Sequence, residues 1–328
     1  MSSAYPSNHT YNCRQSCANQ GNGAYRAYLK TPFSPISINR QNIKCVIPML
    51  KIALPNKGRL CEPALKLMSQ AGIDISEVEE RKLVALSSDG HYMFLFLRTE
   101  DIPKIVERGA CDLGITGSDL VEETGANVII ISNLSFGYCR VVLAAKRKLL
   151  PRELEGKTIA TKLPNIAKKY FSGKKVNIKL LLVAGACEAM PSLGIADAIV
   201  DQVSTGTTLL MNDMYEVDTI FESSACLIAN KASMLRKKEE IEILQLGIDG
   251  IMLASRRKYL MLNVGADRLE IVLRVLPSMK SPTLLKLASG DYAVHSVVED
   301  TGLNHLIARL KRAGARDILL VDIERIVK

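Results

Sequence analysis

Between Asp201 and Asn212 the chain reads DQVSTGTTLLMN, a carboxylate followed, after two intervening residues, by Ser204, Thr205, Gly206, Thr207 and Thr208. Hydroxyls grouped around a glycine can hold an anion. Backbone N–H groups at a helix start point outward with partial positive charge, glycine lets a ligand approach the backbone closely, and hydroxyls donate further hydrogen bonds. The apolar run DAIVD ahead of the hydroxyls predicts a strand, and a helix is predicted from near Leu209, so the run falls on a strand-to-helix loop. Two readings fit that spacing: a phosphate cradle, and an ordinary turn capped by Ser or Thr. Under the first, Asp201 could accept hydrogen bonds from sugar hydroxyls or sit near a metal that accompanies the phosphates. The chain has neither GxxxxGK[ST] nor a GxGxxG after a strand, which argues against a P-loop kinase and a Rossmann cofactor site.

The elements that must position this loop are legible as alternating runs. LKIAL, followed by PNKGR and then by LCEPALKLMSQAG, makes one strand-loop-helix unit, with Leu60, Ala64, Leu65 and Met68 on one helical face and Gly72 as the stop. Further buried strands are predicted at YMFLFL, DLGIT, VIIIS, VVLAA, KTIAT, VNIKLLLV and DAIVD, with helices at EDIPKIVERG and NIAKKYFSG. Such alternation predicts an α/β architecture with mainly parallel sheets, and a change of character near Arg140 suggests two lobes. From Lys258 the order changes to strand, helix, two strands joined by SGD, helix, strand. That βαββαβ order describes a small ferredoxin-like unit of the kind often used for regulation or assembly.

Composition narrows the function. The 328 residues are 48% hydrophobic and can bury a sizeable core. More than half of the formal net charge of +9 comes from Arg14, Arg26, Lys30, Arg40 and Lys44 in an acid-free segment, residues 1–48. The remainder is modest, there is no Trp, and aromatic and basic residues are not interleaved, so an anionic small molecule suits the chain better than nucleic acid. The eight cysteines form no CxxC pair and sit mostly in apolar runs, as buried thiols of a reducing compartment do. Cys187, beside the candidate loop, reads as a small core hydrophobe. Residues 1–48 lack a sustained apolar period and are expected to be disordered, either as a transit peptide or as an extension upstream of a true start at Met49. A cytoplasmic location is expected, or a plastid one if the segment is a transit peptide. No run approaches the length of a membrane span.

The stretch EAMPSLGIADAIVDQVSTGTTL, from Glu188 to Leu209, resembles the signature of the ATP phosphoribosyltransferase family. ALPNKGRLCEPALKLM, EDIPKIVERGACDLGITGSDLVEE, ATKLPNIAKKYF and EVDTIFESSACLIAN support it, and the resemblance runs from Leu50 to Lys328. YLMLNV, LPSMKSPTLLKLA and LIARLKRAGARDILLVDIERI are similar to the regulatory domain of the long form. Two letters depart from the family pattern: Gln202 stands where an aliphatic residue is usual, and Ala167 where a Thr is common.

The resemblance implies a two-lobed, type II periplasmic-binding-protein-like catalytic domain over residues 49–255, with a second lobe at about 141–222, and a regulatory ACT-like domain over 256–328. It implies a pentosyltransferase of the first step of histidine biosynthesis. In that reaction N1 of the ATP adenine attacks the ribosyl carbon of 5-phosphoribosyl 1-pyrophosphate, and pyrophosphate, travelling with magnesium, departs. By the same resemblance Ser204 to Thr208 hold the 5-phosphate, and Asp201 and Glu188 face the ribose hydroxyls or the magnesium. Lys57 and Arg59 meet phosphate or pyrophosphate charge, the arginine with a two-pronged grip, or else form a solvated basic turn. Arg98 is a candidate for the nucleotide site. Asp119, in GITGSDL, either lines the cleft there or acts as a helix N-cap. A hexamer built from dimers and feedback inhibition by histidine are also implied, with Ser281, Thr283 and Asp291 in the region where the effector is to be sought.

His91, His295 and His305 have no nucleophile with a carboxylate partner nearby and are read as structural or surface residues. The other readings of the chain are a non-catalytic anion or solute-binding module of the same fold, and a short-form-like catalytic subunit that needs a separate regulatory partner. The βαββαβ tail argues against the latter.

Overall fold

A computed structural model describes residues 49–75, 83–277 and 281–327. The expectations for residues 1–48 lie outside the described residues.

The first sheet is built from β1 (Leu50–Pro55), β2 (Val84–Leu86), β3 (Tyr92–Leu97), β4 (Leu113–Gly117), β5 (Ile129–Asn133) and β11 (Ala225–Ala229), in the order β2-β3-β1-β4-β11-β5. Its inner strands read as continuous apolar runs because both faces are covered. Four of the five β4 residues are apolar or glycine, and all are buried. On one face α1 (Cys61–Gln70) and α7 (Lys238–Ala254) press Ala64, Leu67, Met68, Ile241 and Ile248 against Ile52, Leu54 and Phe94. On the other, α2 (Ile102–Glu107) lies so close to β4 that a Cβ on Gly114 would stand 2.6 Å from Ile102. α3 (Ser118–Thr124) follows β4 directly, and α6 (Lys231–Arg236) precedes α7.

The second sheet holds β6 (Cys139–Ala145), β7 (Thr158–Thr161), β8 (Lys179–Leu182), β9 (Ala198–Val203) and β10 (Tyr215–Ser223), in the order β10-β6-β9-β7-β8. α4 (Pro164–Gly173) covers it with Ile166, Ala167 and Phe171, and α5 (Thr207–Met211) follows β9. The chain changes sheet over residues 134–138 and again at Ser224. Each lobe has a core of three parallel strands beside an inserted antiparallel one, β11 in the first and β6 in the second. The two sheets thus share one strand order, that of the two-lobed type II periplasmic-binding-protein fold expected above. The sheets are mixed rather than mainly parallel, because each crossing delivers a strand that enters its new sheet running the other way.

The remaining residues form the ferredoxin-like βαββαβ unit: β12 (Arg257–Val264), α8 (Leu269–Val275), β13 (Thr283–Lys286), β14 (Tyr292–Glu299), α9 (Leu303–Ala313) and β15 (Ala315–Asp322). The sheet order is β13-β14-β12-β15, and Leu260, Leu262, Val294, Val298, Val272 and Leu310 fill the space between sheet and helices. After β15 the chain returns to the first lobe, where the Ile326 N–H donates to the Gly250 carbonyl and Arg325 to the Gln70 carbonyl.

One buried ion pair fixes the start of the first lobe to its last helices. Asp112 accepts from Lys237 Nζ at 2.7 Å, from the Lys51 N–H at 2.9 Å and from the Ser233 hydroxyl at 2.7 Å. Burial pushes its carboxyl up, but these three donors together hold it below the ordinary carboxylate value. A depressed folded pKa contributes stability above the unfolded pKa of about 3.9 and loses it as pH falls through the folded value. Lys237→Met leaves the carboxylate buried without its cation and is expected to cost about 3 kcal/mol at neutral pH. In urea unfolding, the gap between wild type and variant should narrow as the solution is acidified below pH of about 4.

Candidate functional site

β9 ends at Val203, and Ser204 to Gly206 turn the chain into α5. Gly206 is the residue before the helix and has φ of +80°, which a β-carbon would strain. The helix carries no side-chain cap, so the capped-turn alternative is not the one the loop adopts. α5 begins at Thr207, two residues earlier than predicted, and is only five residues long. A helix this short contributes little dipole, so an anion at this loop would be held by local N–H groups and hydroxyls. Ser204, Thr205, Thr207 and Thr208 are all exposed, with the Thr205 and Thr207 hydroxyls 3.0 Å apart.

The loop forms one wall of a cavity of about 320 Å³ whose other groups include Asp201, Glu188 and Lys162. Asp201 accepts from its own neighbour's backbone, the Gln202 N–H, at 2.7 Å, and its carboxylate lies 3.2 Å from Lys162 Nζ. Behind it sits the Cys187 thiol, fully buried, pushed up to about 12 by burial first and then by the Asp201 charge to which it donates. Cys187 is a protonated donor at neutral pH, as well as the core residue expected. Among the described residues no group of three or more His, Cys, Asp or Glu could hold a metal ion by itself.

A second cavity of about 420 Å³ occupies the cleft between the lobes, lined from the first by Lys57, Arg59 and Arg98 and from the second by Lys162 and Gln202. Lys57 and Arg59 flank Gly58, whose φ of +81° makes the turn after β1. The arginine bridges the lobes: Nη2 donates to the Cys139 sulfur at 2.8 Å and Nη1 reaches the Ser204 hydroxyl at 3.5 Å. Burial, followed by the Asp119 charge, raises the Cys139 thiol despite the opposing guanidinium. Across the mouth, Glu123 on α3 accepts from the Asn165 and Ile166 N–H groups at the start of α4, the latter at 2.9 Å.

Asp119 is placed differently from either expectation. The helix N-cap is Gly117, and the Asp119 carboxylate is wholly buried rather than on the cavity wall. It accepts from the Ser223 hydroxyl at 2.6 Å and from the Gln202 side-chain amide across the cleft. The physical reason is the immediate β4-to-α3 turn, which tucks the second helical residue back against the return crossing at Ser223.

Sequence reasoning missed Lys162, which lines both cavities. A signal was available, since the first βα turn of each lobe's parallel core carries a lysine, Lys57 after β1 and Lys162 after β7. Among the described residues the histidines stay outside both cavities: His295 shares a 3.0 Å hydrogen bond with the Tyr259 hydroxyl on the C-terminal sheet. In that domain the β13–β14 hairpin holds Ser281 and Thr283 at one end and Asp291 at its turn, where Arg316 donates to the carboxylate at 2.8 Å. The effector candidates thus form two separate groups.

Comparison with known proteins agrees with this architecture. Residues 98–250 match the family described as ATP phosphoribosyltransferase, and residues 254–325 match the one described as HisG, C-terminal domain. An ATP phosphoribosyltransferase of Methanosarcina mazei is 45% identical over 289 residues, covering 85% of this chain and 100% of that one. One from Sulfolobus acidocaldarius is 41% identical over 285 residues with the same coverages. Among solved structures, the ATP phosphoribosyl transferase (HisG:HisZ) complex from Thermotoga maritima superposes with a TM-score of 0.55 at 30% identity, covering 61% of this chain and 99% of that chain. Two lobes that share a cleft, a hydroxyl-rich loop after β9 and a C-terminal βαββαβ domain, together with this likeness over nearly the whole described chain, establish that the protein belongs to the ATP phosphoribosyltransferase family, with the C-terminal domain of its long form.

Proposed function

We propose that the chain joins N1 of the ATP adenine to the anomeric carbon of 5-phosphoribosyl 1-pyrophosphate and releases pyrophosphate. The observation that carries this reading is that the loop cavity and the cleft cavity share Lys162 and Gln202, so two ligands held one in each would meet at a common wall. The 5-phosphate binds the N–H groups and hydroxyls of Ser204 to Thr208, and Asp201 and Glu188 accept from the ribose hydroxyls. The donor's other end then extends toward Lys57 and Arg59 on the opposite lobe, and Arg98 joins them around the nucleotide phosphates. The adenine lone pair forms the new C–N bond as the C–O bond breaks, and its electron pair leaves with pyrophosphate. A ring nitrogen needs no strong base, so the protein's work is alignment and stabilisation of charge on the departing group. Asp201 and Glu188, which line the same cavity, would hold a magnesium ion together with the pyrophosphate, and the ion would supply neutralisation of the leaving group's charge.

The β13–β14 hairpin is proposed as the histidine-binding region and the C-terminal domain as the regulatory one. Exposed Leu284, Leu285, Leu319 and Val321 on its edge strands suit contact with further copies in a dimer or hexamer. No helix among the described residues is long and apolar enough to cross a membrane, and a cytoplasmic site of action is part of the proposal.

Mixing the purified protein with ATP, magnesium and the phosphoribosyl donor should generate the near-ultraviolet absorbance of the N1 adduct, and added histidine should slow its appearance. Binding of both substrates without turnover would instead favour the non-catalytic module. Within the active protein, Gly206→Val forces a β-branched residue to a φ of +80°, and the KM for the phosphoribosyl donor is expected to rise at least about tenfold. An unchanged KM counts against the cradle.

A further inference from the structure

We propose that Gln202 is a positioning residue: its side-chain amide, docked on the buried Asp119 carboxylate of the other lobe, holds the cleft closed in the arrangement that brings the two substrates together. This rests on the function proposed above. The end of β9 is the wall between the two cavities, and Gln202 borders both of them. Ile199, Asp201 and Val203 line the loop cavity, while Gln202 alone of the strand also lines the cleft cavity. A contact made by Gln202 therefore acts on the strand that carries Asp201 and leads directly into Ser204.

The partner is held rigidly. The Ser223 hydroxyl donates to Asp119 Oδ1 at 2.6 Å, the Asp119 N–H donates back to that hydroxyl at 3.1 Å, and the Ser118 N–H is bonded to the Ser224 carbonyl. Gly117 has no room for a side chain, since its Cβ would lie 2.3 Å from Oδ1. The second oxygen, Oδ2, faces the opposite lobe, where Gln202 Nε2 meets it. Asp119 is completely buried, and a carboxylate oxygen withdrawn from water without a donor is strongly disfavoured. In the closed arrangement a donor at this point satisfies that oxygen, and the Gln202 side chain supplies it. A neutral amide does so without adding a charge to the wall that the pyrophosphate must pass. Two other interlobe bonds, Arg59 to Ser204 and the Asn165 N–H to Glu123, are at exposed positions where water can replace them, whereas the bond from Arg59 to the buried Cys139 sulfur lies beside the crossing itself.

The test uses the full chain with Gln202→Leu, Asp119→Asn and both together. The donor's 5-phosphate is held by the second lobe and its pyrophosphate by the first, so Gln202→Leu should raise the dissociation constant of the phosphoribosyl donor, measured by equilibrium binding without ATP, by less than about fivefold, a smaller effect than on turnover. The kcat should fall about 10- to 100-fold, the loss of one hydrogen bond to a charged group. In the Asp119→Asn background, which no longer presents a buried charge, the same substitution should cost less than about threefold. Small-angle scattering of the donor-bound protein should give a larger radius of gyration for Gln202→Leu than for wild type, a readout that does not require turnover. It keeps failure of the latch distinct from failure of the proposed reaction. Equal losses in both backgrounds, or matched kcat and donor affinity losses with no scattering change, would overturn the proposal.

Discussion

The cleft chemistry depends on one constraint of chain path: the chain passes from the first sheet to the second within residues 134–138 and returns through Ser224 alone. Two covalent crossings this short leave the lobes little freedom except to hinge, and they bring the ends of β6, β10 and β11 to the floor of the cleft. Cys139 opens β6 and receives the Arg59 guanidinium; Ser223 closes β10 and fixes Asp119. The groups that would meet substrate are thus referenced to the crossings rather than to their own loops. That is the kind of support by which a scaffold holds a site to within fractions of an ångström.

Burial and exposure divide the polar groups of the cleft into two kinds. Asp119, Ser223, Cys139 and Cys187 are withdrawn from water and meet donors or acceptors of fixed geometry. Lys57, Arg59, Arg98 and the loop hydroxyls are exposed on turns. Fully desolvated polar groups lose much when a partner moves, whereas exposed ones exchange a protein partner for water at small cost. The buried set therefore specifies the relative placement of the lobes, and the exposed set, Arg59 with its bonds to Cys139 and Ser204 included, can exchange its partners at small cost.

Much of this was legible in the sequence because local patterns carried it. The strands with continuous apolar runs, such as YMFLFL and DAIVD, could be located because burial on both faces leaves few polar letters, and the C-terminal βαββαβ order followed from its alternating periods. What escaped depends on partners distant along the chain. The mixed character of the sheets arises from β11 and β6 entering a foreign sheet, which no local window reports. Asp119 lies 83 residues from Gln202, so neither letter explains the other until the lobes are assembled. Lys162 was hidden by its surroundings in KTIATKLP, where a lysine after a strand has the ordinary look of a solvated turn.

The distribution of charge fits the order of events in the proposed reaction. A 5-phosphate is the same group before and after bond making, so uniform binding serves it, and amides with neutral hydroxyls around Gly206 can provide that without drawing the negative leaving group toward them. The pyrophosphate gains charge as the C–O bond breaks, and only interactions that strengthen at that moment accelerate the step. Lys57 and Arg59 sit on the lobe opposite the loop, so under the proposed reaction their attraction would act along the direction in which the leaving group must move. Lys162, already 3.2 Å from Asp201, is placed on the wall between the two cavities, where it can neutralise the carboxylate beside the ribose before the donor arrives. In the proposed reaction this arrangement would put neutral donors where charge is constant and cations where charge develops, and the two lobes would have to be closed for both sets to act on one molecule.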